Sequence, residues 1–143
     1  RPQDLDAAVL DRCDEFISLP LPDAECREKL LAQYFRTFVI DEAAKANALA
    51  DGIASKARTL VAKQEPFRIE IDADVMDAEQ LASLALAMEG MSGREIGKIM
   101  IALQAALYAS ANGKLTRKTT DKIFNTKLQE HHAKLALKKG SSK

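Results

Sequence analysis

Tryptophan is absent from this 143-residue chain, and aromatic residues make up only 5% of it. Strands draw on aromatic and β-branched residues, so this scarcity argues against a sheet-dominated fold. No apolar run approaches the roughly 20 residues of a membrane-spanning helix. No signal or transit segment is recognisable. A surplus of either charge is missing too, since 21 Lys and Arg cancel 21 Asp and Glu. That balance disfavours a wholly basic nucleic-acid binder and an acidic disordered tail. The two cysteines, Cys13 and Cys26, lack metal-ligand spacing, and two free thiols are expected over a disulfide. His131 and His132 are adjacent and cannot share a helix face, so no metal site is expected. There is no phosphate loop, dinucleotide glycine motif or nucleophile elbow. The chain opens on Arg1-Pro2 rather than Met, which leads us to expect a fragment or a processed product.

What remains is 47% apolar and rich in Ala and Leu, enough for one helical core. Phe16-Ile17-Ser18-Leu19 is a short strand candidate stopped by Pro20 and Pro22. Four residues cannot hold a strand without neighbours. Residues 1–22 are therefore expected to be disordered, or to pack their Phe16-Ile17 edge on another chain. Asp23 is placed to cap a helix over about 24–39, with Leu30, Leu31, Tyr34, Phe35 and Phe38 as its stripe. Asp41 is placed to cap a second, over about 42–63, with a thinner stripe of Leu49, Ile53, Leu60 and Val61. Gly52 weakens its centre, and Pro66 closes it. Residues 64–76 read as irregular, with Phe67–Ile71 as a possible extended piece. Asp77 and Gln80 open a third helix over about 78–89, its inward face formed by Leu81, Leu84, Ala85 and Met88. Gly90 is suited to end it in a left-handed conformation.

Ser92 and Glu95 form a second capping-box pattern, with Ile96, Ile99, Met100, Leu103 and Leu107 behind it. Asn112-Gly113 signals a turn. Thr116 or Thr119 opens a last helix with Ile123, Phe124, Leu128 and Leu135 inward, and residues 140–143 should be disordered. The expected fold is mainly α: a small bundle of about four to five helices, preceded by one short strand.

Two local patterns carry chemistry. In Glu89-Gly90-Met91-Ser92-Gly93-Arg94-Glu95-Ile96, a helix starting after Ser92 points free amides outward, and such an end attracts anions. Gly93 lets a ligand approach the backbone, and Arg94 adds a guanidinium suited to phosphate. On spacing alone, an ordinary capped helix with an exposed Arg is the simpler reading. In the second pattern, Arg12 lies just ahead of the strand candidate. A rigid strand edge can present such an arginine to a neighbouring subunit, where it would stabilise charge in phosphoryl transfer. A surface ion pair with Asp11 or Asp14 is the simpler alternative. The segment 113–143 holds nine Lys or Arg against two Asp or Glu. It can meet an anionic lipid or an acidic protein, or simply be a solvated face. With no stacking aromatics beside that stretch, direct nucleic-acid binding is not expected.

Taken in order, these patterns resemble the C-terminal part of AAA+ ATPases. "RPQDLDAAVLDRCDEF" is similar to the end of the second region of homology, in which an arginine-finger segment leads into the last core strand. "LPLPDAECREKLLAQYF" resembles the linker and first helix of the AAA+ lid. "LALAMEGMSGREI" resembles the lid turn that ends in the sensor 2 helix. Within the superfamily, "DRCDEF", "EGMSGREI" and "ALYASANGKLT" are most like the mitochondrial AAA-domain-containing protein 3 family. The resemblance is good over 1–38 and 77–116 and weak over 41–76, a stretch longer than the usual connection. The last basic helix fits by position rather than by motif.

The resemblance implies that residues 1–22 end the nucleotide-binding core and 23–139 form the helical lid. Arg12 would be the arginine finger, acting in trans on ATP in the next subunit of a ring, a hexamer by family habit. Arg94 would be sensor 2, acting in cis, and Gly93 would lie against the nucleotide. ATP or ADP would be the ligand, with Mg²⁺ held by a core domain upstream of Arg1, so this chain should be inactive alone and hold nucleotide feebly. The implied location is the mitochondrial inner membrane, with the ATPase module facing the matrix. Two departures stand out. Glu15 occupies the position where many AAA proteins carry a second arginine. Many classical members also lack an arginine where Arg94 stands.

Overall fold

The computed structural model describes residues 6–15, 17–57 and 67–140. Its elements are α1 (Ala7–Leu10), α2 (Ala24–Phe35), a π-helical turn (Arg36–Ile40), α3 (Asp41–Ala57), β1 (Glu70–Ile71), α4 (Ala78–Ala87), α5 (Gly93–Ala109), β2 (Lys114–Leu115) and α6 (Arg117–Gly140). The expected mainly-α bundle is what forms. Helix α5 is its centre: α2 and the π turn pack on it from one side, α6 from another, and α2 also packs on α4.

The caps explain most helix starts. Asp23 accepts from the Cys26 amide at 2.8 Å and Asp77 from the Gln80 amide at 2.7 Å. Ser92 and Glu95 form a complete capping box, and Thr116 Oγ1 accepts from the Thr119 amide at 3.3 Å ahead of α6. Each cap satisfies an amide that the helix itself leaves without a partner. Gly90 takes φ +80° after α4, as its position suggested, and Gly113 takes φ +67° in the Asn112-Gly113 turn.

Three expectations need correction. Asp41 does not cap a new helix. Its φ of −65° and ψ of −37° are helical, and the chain runs from Ala24 to Ala57 without a break. The expected thin stripe also faces the wrong way. Leu49 is 69% and Ile53 66% exposed, while Val39 and Ala43 are buried. The π turn contributes, since its wider winding rotates everything after it relative to α2. Leu60, Val61 and Pro66 lie outside the described residues. Finally, no strand forms at Ile17-Ser18-Leu19, which is irregular. Ile17 is 79% and Leu19 88% exposed, because nothing among the described residues offers them a ladder to join. Phe16 lies outside the described residues.

The piece expected to be extended at 67–71 does form β1, parallel to β2, with Glu70 opposite Lys114 and Ile71 opposite Leu115. Asn47 of α3 clamps its start, donating to the Ile69 carbonyl at 2.9 Å and accepting from the Ile69 amide at 2.8 Å. Within α5 all five expected core residues, Ile96, Ile99, Met100, Leu103 and Leu107, are buried. In α6 Phe124 is fully buried, but Leu135 lies 38% exposed, past the reach of the core. Helix α6 runs to Gly140, and residues 141–143 of the expected tail lie outside the described residues. Among the described residues no helix is long and apolar enough to cross a membrane.

Candidate functional site

Gly93 and Arg94 are the first two residues of α5, directly after the Ser92 cap. The Ser92 hydroxyl accepts from the Glu95 amide at 3.3 Å, and the Glu95 carboxylate accepts from the Ser92 amide at 2.9 Å. The box thus occupies one amide of the first turn. Among the described residues nothing accepts from the amides of Gly93 and Arg94. Arg94 is exposed and makes no ion pair among the described residues. These groups make the start of α5 a positive helix end, with free backbone donors and a guanidinium carried on adjacent residues.

Beside this end lies an open groove of about 380 Å³ lined by Tyr34, Phe38, Gly93, Arg94, Gly97 and Lys98, with Ile101 at its edge. Tyr34 and Phe38 meet edge to face, ring centroids 5.8 Å apart. The glycines keep α5 bare here. A Cβ on Gly93 would sit 3.6 Å from Leu30 Cδ1, and one on Gly97 3.7 Å from the Tyr34 ring. Both are ordinary contacts, so packing within the chain does not demand glycine at either position. Arg94 and Lys98 stand one turn apart along the same helix. The groove therefore offers aromatic and apolar surface next to two cations and free amides. That set suits a ligand combining a flat ring with phosphate.

Arg12 follows α1 in the turn at Asp11-Arg12 and is exposed. Its backbone amide donates to the Val9 carbonyl at 3.2 Å. Neither Asp11 nor Asp14 pairs with its side chain among the described residues. No residue of α1 is buried. The structure therefore does not bring Arg12 and Arg94 into one site within this chain. Among the described residues no group of three or more His, Cys, Asp and Glu could hold a metal. His131 is buried and His132 exposed, as expected of neighbours on a helix. Both cysteines are free and exposed.

Two polar residues prove structural in ways that their local sequence patterns do not show: Arg27, and Gln80, whose side chain does not close the expected capping box on Asp77. Arg27 is only 5% exposed. Its Nε donates to the Ala85 carbonyl at 2.6 Å and its Nη1 to the Pro22 carbonyl at 2.7 Å. A cation thus serves the carbonyl-rich last turn of α4 and ties α2 to it. Gln80, also buried, accepts from the Met76 amide at 2.6 Å and donates to Asp121 of α6 at 2.7 Å. The signal for Arg27 was its spacing of four from Leu31 and then Phe35, which puts it on the buried face.

Glu95 ties the site to α6. Its Oε1 lies 3.0 Å from His131 Nδ1, while its Oε2 holds Ser92. Partial burial alone would raise its pKa. The Ser92 amide and hydroxyl and the His131 ring outweigh that and carry the carboxyl down to about 2 from its usual 4.5. A depressed folded value means the stabilisation is complete above about pH 4.5 and drains as the pH falls toward 2. The side chain is 38% exposed, so screening leaves about 1–2 kcal/mol of it. Acid melts should show wild type losing stability over this window more steeply than Glu95→Gln; equal slopes would show that Glu95 has no such role.

The chain is similar to several known proteins. It is 36% identical over 94% of its length to the fruit-fly (Drosophila melanogaster) protein named ATPase family AAA domain-containing protein 3A homolog, and spans 19% of that protein. It is 33% identical over its full length to the Xenopus laevis ATPase family AAA domain-containing protein 3-A, spanning 21% of it. With the human ATPase family AAA domain-containing protein 3A it shares 30% over 94% of its length and 20% of the relative. No family model matches the chain, and no solved structure matches it. The class of protein to which this chain is similar is thus the AAA-domain ATPases. Within that class its resemblance is to AAA domain-containing protein 3, of which it spans about a fifth.

Proposed function

We propose that this chain is the arginine-finger segment and helical lid from the C-terminal part of an AAA+ ATPase. The observation that carries this reading is the start of α5, where Gly93 and Arg94 line the Tyr34–Phe38 groove and their amides have no acceptor among the described residues. Those residues fit a nucleotide: the guanidinium and amides would hold phosphate, and the groove would take the ring system. ATP would supply the phosphoanhydride bond, and the groups that bind Mg²⁺ would come from a core domain outside this chain. The lid would change its angle against that core as nucleotide binds and leaves, and a ring of subunits would convert this motion into remodelling. By resemblance the setting is a mitochondrial membrane protein with a role in membrane or nucleoid organisation.

The test is Arg94→Ala in an intact ATPase containing this segment. Loss of a charge-assisted contact of roughly 1.5–3 kcal/mol should lower turnover or nucleotide affinity about 10- to 100-fold. Melting of the variant should match wild type, since Arg94 makes no ion pair among the described residues. Unchanged kinetics in the folded variant would remove Arg94 from the nucleotide site.

A further inference from the structure

Helix α6 touches the candidate site at one place. His131 Nδ1 lies 3.0 Å from Glu95 Oε1, and the imidazole is only 7% exposed. An ionised carboxylate can only accept, so the proton of this contact resides on Nδ1. The other ring nitrogen, Nε2, is then buried with no hydrogen-bond partner among the described residues; a Cβ on Gly90 would sit 3.7 Å from it. Leaving a buried polar atom unsatisfied costs stability, and an aliphatic side chain would fill this volume without that cost. What only the imidazole supplies here is the Nδ1 donor.

The carboxylate it holds is the capping partner of Ser92, with Oε2 2.9 Å from the Ser92 amide and 2.8 Å from its hydroxyl. The chain of contacts therefore runs His131–Glu95–Ser92 and ends one residue before Gly93 and Arg94. At its other end α6 is anchored to the start of α4, through Arg117 to Asp77 at 2.7 Å and Asp121 to Gln80 at 2.7 Å. Thr120 and Phe124 are fully buried between these points.

We infer that His131 is a positioning residue: through Glu95 it fixes the end of α5 that presents Gly93 and Arg94, so the seating of the last helix sets how firmly that end holds phosphate. This rests on the nucleotide reading of Arg94. His131→Leu keeps the volume and loses the donor. His131→Asn keeps an amide N–H where Nδ1 stands.

The experiment has two arms. In this chain, amide hydrogen exchange at Ser92 should speed up roughly tenfold in the Leu variant, with Ile99 and Leu103 unmoved, and should stay near wild type in the Asn variant. In the intact ATPase, the Leu variant should raise KM for ATP several-fold with kcat less affected, and the Asn variant should restore it. Protection at Ser92 that is kept by Leu and lost in Asn would reduce His131 to a packing residue and overturn the inference. So would an exchange effect with unchanged ATP kinetics while Arg94→Ala remains impaired. If Arg94→Ala is also silent, the nucleotide reading itself falls, and the exchange arm alone reports on the contact.

Discussion

Replacing Arg12 with alanine in the intact ATPase should reduce ATP turnover by about 10³-fold or more, the scale of an arginine finger, with ATP affinity largely kept. On the proposed reading affinity survives because a finger meets the transferring phosphoryl group as charge develops, and adds little to the resting complex. Arg12 sits on a surface segment: α1 buries nothing, and the side chain pairs with neither Asp11 nor Asp14 among the described residues. Among the described residues nothing therefore neutralises its charge. Arg12→Lys should rescue poorly, because an ammonium lacks the planar fork. The decisive measurement is mixing. On the proposed reading, Arg12→Ala subunits would keep an intact nucleotide site, and subunits lacking the core's Mg²⁺-binding carboxylate would keep an intact finger. Mixed rings should regain part of the activity that each lacks alone. A mixture as dead as its components would exclude action in trans, and a normal rate in Arg12→Ala would exclude the finger role.

Much of the fold can be read from the residues because its boundaries are chemical. Asp23, Asp77 and Ser92 each cap a helix where a short acceptor side chain precedes an apolar stripe. Gly90 and Gly113 take the positive φ that their turns require. The positions in α5 repeat so regularly that its buried face follows from the period alone. The failures also have physical causes. Asp41 looks like a cap, yet an aspartate costs a helix interior only a few tenths of a kcal/mol. Packing of Val39 and Ala43 is enough to carry the helix through it. Leu49 and Ile53 read as core because they are large. After the π turn the inward face is built from Ala43, Ala46 and Asn47 instead, and size misleads where small residues allow close approach.

The site was half legible. Its helix end follows from the capping box, and the guanidinium from the residue two positions beyond Ser92. The groove does not, because Tyr34 and Phe38 read as core stripe, and only the packing of α2 on α5 turns them toward Gly97. The Glu95–His131 contact spans 36 residues and no local rule reaches that far. The buried Arg27 is a similar case. Charge suggests surface, and only the carbonyls at Ala85 and Pro22 make its burial tolerable.

The largest expected stability effect lies away from the site, at Gly113. A methyl group there would stand 2.1 Å from the Arg68 carbonyl oxygen, 3.1 Å from its carbon and 3.0 Å from the Phe67 ring, on a backbone at φ +67°. A backbone oxygen cannot rotate aside as a side chain can. Gly113→Ala must therefore push β1 away from β2. That movement strains the bonds from the Glu70 amide to the Gly113 carbonyl at 2.9 Å and from the Asp72 amide to the Leu115 carbonyl at 3.0 Å. It also loosens Leu115 and Ile69, both buried, and pulls on the Asn47 clamp to α3. Steric overlap, a disfavoured φ and weakened pairing together should cost about 3–4 kcal/mol, lowering Tm by roughly 10 °C for a chain of this size. Gly97→Ala is the control: its Cβ meets only the Tyr34 ring at 3.7 Å, and alanine favours a helix interior over glycine. Thermal melts of the two variants should therefore move in opposite directions. A Gly113→Ala chain that melts with wild type would mean that the β1–β2 pair contributes nothing to holding α3 and α6 on the core.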